Sequence, residues 1–217
     1  MIPRTEFVRR VASVSSRRVF VTFEGIDGSG KTTQAELLVD ALRSDGRNVV
    51  ATREPGGTEL GERVRALLLA HDIEIAPWAE AALFAAARAQ LVDEVVRGAL
   101  VDGADVVCDR YIDSSLAYQG IARGLGVEHV LEVNRQATQG LLPERTFLVV
   151  LDAGEAARRA AGEADRIERE GVEFQAAVGR AYEQVADMFP ERITKLDGSR
   201  PPAELARIVR DGVRDLS

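Results

Sequence analysis

Hydrophobic residues along this chain follow two alternating patterns. Short apolar runs rich in β-branched residues, typical of parallel strands that are buried on both faces, lie at 19–25, 48–52, 104–108, 146–151 and 193–196. Between them, stretches with apolar residues three or four positions apart predict helices at 31–44, 59–70, 78–100, 172–189 and 202–216, and a pair of helices over 114–140. Because strands alternate with helices, the sequence predicts a three-layer α/β fold with a five-stranded parallel sheet flanked by helices.

The same pattern predicts the domain organisation. No long linker and no internal repeat interrupts it, so residues 19–217 are expected to form one domain. The first 18 residues differ in composition, with five arginines against one glutamate. We predict that residues 1–18 form a flexible N-terminal extension, with an Arg-rich, acid-poor transit peptide as the alternative.

One motif carries specific chemistry, the Gly-x-x-x-x-Gly-Lys-[Ser/Thr] pattern of a phosphate-binding loop, or P-loop. It follows the first predicted strand and opens the first predicted helix, and it comprises Gly25, Ile26, Asp27, Gly28, Ser29, Gly30, Lys31 and Thr32, with Thr33 next in the helix. Its glycines let backbone N–H groups point at phosphate oxygens, and the helix N-terminus adds partial positive charge. Lys31, expected to be exposed, would reach the β- and γ-phosphates, and Thr32 would bind Mg²⁺. The motif therefore predicts a P-loop NTPase fold that binds a nucleoside triphosphate and Mg²⁺.

Three further motifs narrow the class, namely TREPGGT at 52–58, FAAARAQ at 84–90 and DRYIDSSLAYQG at 109–120. Together with FEGIDGSGKTT at 23–33 and DRIE at 165–168, they closely resemble bacterial thymidylate kinases, a branch of the P-loop nucleoside-monophosphate kinases. The resemblance runs from about Val19 to the C-terminal helix. It implies Mg²⁺-dependent transfer of a phosphoryl group from ATP to dTMP, giving dTDP for dTTP biosynthesis. It also implies a homodimer formed through helices beside the substrate pocket.

Several polar residues are expected at the carboxyl ends of strands, where ligands bind in open α/β sheets. Arg53, Asp109 and Arg110 occupy such positions. Since the planar fork of arginine binds phosphate oxygens in pairs, Arg53, Arg65 and Arg110 are candidates for the dTMP phosphate. Asp109 is predicted either to bind Mg²⁺ through water or to orient Arg110.

The resemblance also implies a pocket for the base and the sugar. Phe84 and Arg88 are four residues apart and so project from one helix face; spacing alone would favour a core Phe84 and a surface Arg88. The resemblance implies instead that Phe84 stacks on thymine and that Arg88 hydrogen-bonds its edge. Other residues implied to form this pocket are Ser115, Tyr118, Gln119, Glu54 and Asp27, the last reaching the 3′-hydroxyl of the deoxyribose.

Residues 154–171 are densely charged and include Arg158, Arg159, Arg166 and Arg169. They form either a solvated helix that is stabilised by ion pairs four residues apart, such as Glu155–Arg159, or a mobile lid that closes over ATP. The family places a catalytic arginine in the P-loop or in this lid, and no basic residue occupies positions 26–29. The lid is therefore expected to supply it. Close relatives often carry arginine where this chain has Ala161, so the candidates are Arg158, Arg159 and Arg166, with Arg159 first and Arg166 second.

Composition excludes several classes of protein. The chain has 217 residues, 46% of them hydrophobic and 29% charged, which is neither a membrane nor a disordered composition. A net charge of −7 argues against a dedicated nucleic-acid-binding protein. No apolar run is long enough to span a bilayer, so no membrane partner is expected. With Cys108 as the single cysteine, no intramolecular disulfide can form, and we expect a cytoplasmic location.

Two other functions remain open from the sequence. One is a kinase for another nucleotide, such as dUMP, or for a deoxynucleoside. The other is a P-loop switch that hydrolyses GTP or ATP. The switch has less support, because the chain has no Asn-Lys-x-Asp motif for guanine and a switch would not need the second phosphate clamp of Arg53 and Arg110.

Overall fold

The structure is a computed structural model that describes residues 18–160 and 166–216. The predicted N-terminal extension lies outside the described residues except for Arg18. Residues 161–165 of the predicted lid, among them Ala161, also lie outside them.

The described part of the chain contains a five-stranded sheet in the order β2-β3-β1-β4-β5, and all neighbouring strands are parallel. The strands are β1 (Phe20–Glu24), β2 (Val49–Arg53), β3 (Asp105–Asp109), β4 (Arg145–Val150) and β5 (Ile193–Asp197). This confirms the predicted number and direction of the strands, and the observed bounds differ from the predicted ones by at most one residue.

Helices cover the sheet in the predicted order. They are α1 (Lys31–Ser44), α2 (Glu59–Leu69), α3 (Pro77–Leu91), α4 (Arg97–Val101), α5 (Ile112–Ser115), α6 (Val127–Ala137), α7 (Ala153–Arg159), α8 (Val172–Met188) and α9 (Pro202–Arg214). A π-helical segment, Val92–Val96, joins α3 to α4, and a second, Leu116–Ala122, continues α5. A short 3₁₀ turn spans Glu168–Glu170. The long helix predicted at 78–100 is therefore continuous but contains a π-helical turn.

The core has two parts, one on each face of the sheet. Helices α1 and α9 pack on one face, where Leu38 and Val209 meet Val21 and Phe147. The other face is covered by α3, α8 and the Leu116–Ala122 segment. Alternate residues of β1 point to opposite faces and both faces are covered, which explains why that strand reads as one continuous apolar run. The three-layer arrangement is the predicted one.

The central position of β1 determines where a ligand can bind. β3 lies on one side of it and β4 on the other, so the P-loop leaves the sheet at the point where the strand order reverses. Ligands of open α/β sheets bind in the crevice outside the carboxyl ends of the strands at such a point. None of the helices in the described ranges combines the length and the apolar character that a bilayer-spanning helix requires.

Candidate active site

The P-loop curls tightly between β1 and α1. Gly28 and Gly30 have φ angles of 79° and 97°, in the left-handed region that favours glycine. A Cβ atom on Gly28 would lie 2.1 Å from the backbone oxygen of Ala156 in α7, so no larger residue fits there. α1 begins at Lys31 without a side-chain cap, which leaves the N–H groups of its first turn available to an anion.

A cavity of about 720 Å³ lies over this loop, and we call it the P-loop cavity. The predicted residues that line it are Asp27, Gly28, Ser29, Gly30, Lys31, Thr32 and Thr33. Gly25 and Ile26 belong to the loop but not to the lining, and Ile26 is buried in the core. The opposite wall is the loop after β5, Gly198 to Pro202, which the sequence analysis did not identify because it carries no motif.

Lys31 is not exposed as expected. Its exposed fraction is 6%, and its Nζ donates to Oδ1 of Asp27 at 2.8 Å. The expectation was wrong because the carboxylate four residues earlier holds the ammonium inside the loop.

Thr32 and Asp109 are brought together from α1 and from the end of β3. The Thr32 hydroxyl donates to Oδ2 of Asp109 at 2.5 Å. Oδ1 of Asp109 is buried and accepts no hydrogen bond from the described part of the chain. Hydroxyl and carboxylate oxygens are the donors that Mg²⁺ prefers, so these two residues fit a magnesium site.

Arg110 connects the P-loop to a second cavity. Its Nη2 donates to Oδ1 of Asp27 at 2.7 Å, and its Nη1 donates to the hydroxyl of Tyr182 at 2.8 Å. Burial raises the pKa of Asp27, but the charges of Arg110 and Lys31 outweigh it and hold the pKa well below its ordinary value. Arg110 also has a φ of 68°, a conformation that non-glycine residues rarely adopt. Such strain often accompanies a functional position.

The second cavity lies between the P-loop, α2, α3 and the segment after β3. Eight of the ten predicted substrate-binding residues line it: Asp27, Glu54, Arg65, Phe84, Arg110, Ser115, Tyr118 and Gln119. Asp27 lines both cavities. The two cavities therefore meet at Asp27, with Arg110 on the side of the second cavity.

The other two predicted residues, Arg53 and Arg88, do not line the second cavity. Arg53 is 57% exposed, pairs with Glu62 at 3.2 Å and faces a groove that also contains Thr32 and Asp109. Arg65, by contrast, reaches the second cavity and donates to the backbone oxygen of Pro55 at 3.1 Å. A contact between Arg53 and a substrate phosphate stays a prediction.

Arg88 is fully buried behind the wall of the second cavity. Its nitrogen atoms donate to Glu54, to the backbone oxygen of Tyr111 and to the side chains of Ser115 and Asn134. Burial raises the pKa of Glu54 to about 7, although the charge of Arg88 lowers it. Oε1 of Glu54 accepts no hydrogen bond within the described ranges. Arg88 thus contacts two lining residues, and its own contact with a base stays a prediction.

Sequence reasoning missed Glu24, the last residue of β1. Its carboxylate accepts hydrogen bonds from the backbone N–H of Tyr111 at 2.7 Å, from the Ser114 hydroxyl at 2.6 Å and from the Tyr182 hydroxyl at 2.9 Å. Burial raises its pKa to about 7, with a further increase from the nearby Asp113 carboxylate. An acidic residue at the end of an otherwise apolar strand was the available signal.

The structure separates the two preferred lid arginines. Arg159 lines the P-loop cavity, and its Nη1 donates to the backbone oxygen of Gly198 at 2.9 Å. Arg166 lies on the side of the second cavity, where it donates to the backbone oxygen of Leu68 at 2.8 Å and to Glu80 at 2.6 Å. Arg158 is 70% exposed and pairs with Glu155. Only Arg159 of the three lies beside the loop in this conformation.

These features define a class of protein. A P-loop at the carboxyl edge of a five-stranded parallel sheet, a donor set for a divalent cation and a second, arginine-lined cavity are the features of a P-loop phosphotransferase that brings two phosphate-bearing ligands together.

Comparison with known proteins narrows this class. The family model "Thymidylate kinase" matches residues 23–208. The thymidylate kinase of Thermoanaerobacter sp. strain X514 is 45% identical over 193 residues, which cover 88% of this chain and 94% of that protein. That of Pelotomaculum thermopropionicum is 50% identical over 185 residues, or 83% and 86%. A crystal structure of thymidylate kinase from Ehrlichia chaffeensis gives a TM-score of 0.71 at 32% identity, covering 88% of this chain and 98% of that one. The chain belongs to the thymidylate kinase family.

Proposed function

We propose that this protein transfers the γ-phosphoryl group of ATP to dTMP, producing dTDP and ADP. The observation that carries the proposal is the meeting of the two cavities at Asp27, where Arg110 of the second cavity and Lys31 of the P-loop share one carboxylate oxygen. Two phosphate ligands bound on either side of Asp27 would present their terminal phosphates to each other.

On the donor side, the P-loop N–H groups and Lys31 bind the β- and γ-phosphates of ATP. Thr32 and Asp109 would hold Mg²⁺, which supplies positive charge to the phosphate oxygens when bound. Arg159 also lines the P-loop cavity, and we propose that it stabilises the negative charge that develops on the transferring group.

On the acceptor side, Arg110 and Arg65 bind the phosphate of dTMP, because both line the second cavity. Phe84 supplies an apolar face for the base, and Ser115 and Gln119 supply polar groups for its edge. Arg88 holds Glu54 and Ser115 in place from behind.

The reaction requires positioning more than acid–base chemistry. An oxygen of the dTMP phosphate forms a bond to the γ-phosphorus of ATP, the bond from that phosphorus to the β–γ bridging oxygen breaks, and ADP leaves with the electron pair. The attacking oxygen is already anionic, so no general base is needed. This agrees with the depressed pKa of Asp27, which keeps that residue ionised and unsuited to accept a proton.

A homodimer is the proposed assembly. Exposed apolar residues recur on one side of α3, at Trp78, Ala82 and Ala86, where a second copy of the chain could pack. Sedimentation equilibrium should give twice the 23.5 kDa mass of the chain, and a monomer at micromolar concentration would refute the assembly. We also propose the cytoplasm as the location, on the basis of the single, buried and unpaired Cys108.

A coupled ADP-release assay tests the activity. With ATP and Mg²⁺, dTMP should support faster turnover than AMP, CMP, GMP or thymidine, and dUMP measures the tolerance for the missing methyl group. Faster turnover with any of the four would refute the assignment. ADP release at the same rate without an acceptor would favour the hydrolytic switch instead.

A further inference from the structure

Glu80 is a buried carboxylate that no proposed step uses. It lies in the first turn of α3 with an exposed fraction of 1%, and it lines neither cavity described above. A carboxylate at the N-terminus of a helix is ordinarily explained by the helix dipole. Its burial and its partners call for a more specific account.

Three side chains converge on this carboxylate. Oε1 accepts from Nε2 of Gln119 at 2.9 Å and from Nε of Arg123 at 3.2 Å. Oε2 accepts from Nη2 of Arg166 at 2.6 Å and from Arg123 at 3.3 Å. Burial raises the pKa of Glu80, but hydrogen bonds from Arg166, Gln119 and Arg123 outweigh it and lower the pKa. The group is therefore ionised at neutral pH, when a carboxylate can only accept hydrogen bonds.

This fixes the orientation of the Gln119 side-chain amide. An amide has a donating end and an accepting end, and an acceptor-only partner at 2.9 Å can face only the NH₂ group. The carbonyl Oε1 must then face elsewhere. Within the described ranges no hydrogen bond to that oxygen occurs, while Gln119 lines the second cavity beside Ser115 and Phe84.

We propose that Glu80 is a positioning residue that makes Gln119 present an acceptor, and not a donor, to the base of the nucleotide in the second cavity. The inference rests on the proposed function. An acceptor at this wall matches thymine and uracil, which carry a hydrogen on ring N3, and it opposes the lone pair at N3 of cytosine. Glu80 thus selects a class of acceptor nucleotides that it does not touch.

The substitution Glu80→Gln tests this. Two arginine N–H groups face Oε2 and one, from Nε of Arg123 at 3.2 Å, faces Oε1, so the new amide should keep its oxygen at Oε2 and place its NH₂ where Oε1 was. Gln119 must then turn its oxygen toward residue 80 and its NH₂ toward the base. We expect the ratio of kcat/KM for dTMP to that for dCMP to fall at least about tenfold, mainly through a higher KM for dTMP, since a mismatched buried polar pair is costly.

Asp105→Asn is the matched control. Asp105 is also buried and forms an ion pair with Arg47. It lies at the amino end of β3, whereas the proposed site lies at the carboxyl ends of the strands. Its substitution should affect stability without changing the nucleotide ratio. In a Gln119→Met background, Glu80→Gln should cause no further change in the ratio.

The amide orientation can also be measured in the unaltered protein by NMR. The side-chain NH₂ of Gln119, assigned by its absence in Gln119→Met, should show nuclear Overhauser contacts to the Hγ protons of Glu80, whether or not the Glu80→Gln protein folds. Their absence overturns the proposal, as does a folded Glu80→Gln enzyme with an unchanged nucleotide ratio. If the unaltered enzyme phosphorylates neither dTMP nor dCMP, the proposed function fails instead, and the NMR result still decides the orientation of Gln119.

Discussion

The Lys31 ammonium and the Asp27 carboxylate are joined at 2.8 Å across one turn of the P-loop. The same Asp27 oxygen also accepts from Arg110 at 2.7 Å. Two cations that we propose to bind different phosphates are thus held by one carboxylate. The carboxylate balances their charge, and it places them within reach of the same point.

Lys31→Ala should lower kcat at least about 100-fold, corresponding to roughly 3 kcal/mol of transition-state stabilisation. The melting temperature should change by only a few degrees, because Asp27 keeps its ion pair with Arg110 when Lys31 is removed. Steady-state kinetics at saturating ATP and dTMP, together with thermal melting, measure both quantities.

Lys195→Ala is the control, since Lys195 is the other lysine of the chain and pairs with Asp187 on the surface. It should keep full activity. A Lys31→Ala protein that folds and retains kcat would show that this lysine does not act in phosphoryl transfer.

The sheet and the P-loop could be predicted because their signals are local. A continuous apolar run identifies a strand buried on both faces, and the glycine spacing identifies the loop that follows it. The parallel order then places Asp109 and Arg110 next to the loop, since strand ends meet at one edge. Most of the other pocket residues were implied by the resemblance to thymidylate kinases, and eight of the ten predicted substrate-binding residues line one cavity.

The parts that could not be predicted depend on which way a long side chain turns after the backbone is placed. Arg53 and Arg110 both follow parallel strands, yet Arg53 turns to Glu62 and Arg110 turns to Asp27. Spacing put Arg88 on the surface, whereas partners far away in sequence make it fully buried. The loop containing Gly198 was missed for a different reason, because it carries no motif and its place opposite the P-loop comes from the sheet order.

Glu24 should make the protein less stable as pH rises from about 4.5 to about 7. Burial raises the pKa of its carboxyl from 4.5 to about 7 in the folded protein. Below pH 4.5 the group is protonated in both states, whereas between the two values only the unfolded state ionises and unfolding is favoured. Glu24→Gln removes this term. Relative to the parent, the melting temperature of Glu24→Gln should therefore rise across this pH range and level off above pH 7. The corresponding gain in the free energy of unfolding is up to about 3 kcal/mol.

Differential scanning calorimetry from pH 4.5 to 8 measures this difference. Glu36→Gln, at an exposed position of α1, should run parallel to the parent over the same range. Because Glu54 is present in every protein compared, its own titration cancels. A Glu24→Gln protein whose melting temperature stays parallel to that of the parent would mean that Glu24 is ionised in the fold throughout.

The transferring phosphoryl group needs a positive charge that the variable positions of the P-loop do not provide. A metaphosphate-like transition state spreads charge over its equatorial oxygens, and an arginine placed there is worth about 10³ or more in kcat. Positions 26–29 hold no basic residue, so, given the two places at which the resemblance implies such an arginine, we predict that the lid supplies it. Arg159 lines the P-loop cavity, and its partners among the described residues are Glu155 and the backbone oxygen of Gly198. The Arg159 guanidinium can give up both hydrogen bonds and bind a phosphate oxygen instead.

Arg159→Ala should therefore depress kcat about 10³-fold, or roughly 4 kcal/mol, while changing the KM for ATP much less, because the contact strengthens in the transition state. Arg158→Ala is the matched control, since Arg158 is exposed and pairs with Glu155 on the helix surface. Arg166→Ala should act mainly on the KM for dTMP, because Arg166 joins Glu80 to the backbone of Leu68 beside the second cavity. If kcat falls with Arg166→Ala but not with Arg159→Ala, the lid rearranges during the reaction and Arg166 is the catalytic residue. If all three variants keep kcat within about threefold, a difference below about 0.7 kcal/mol, no lid arginine of this set stabilises the transferring group.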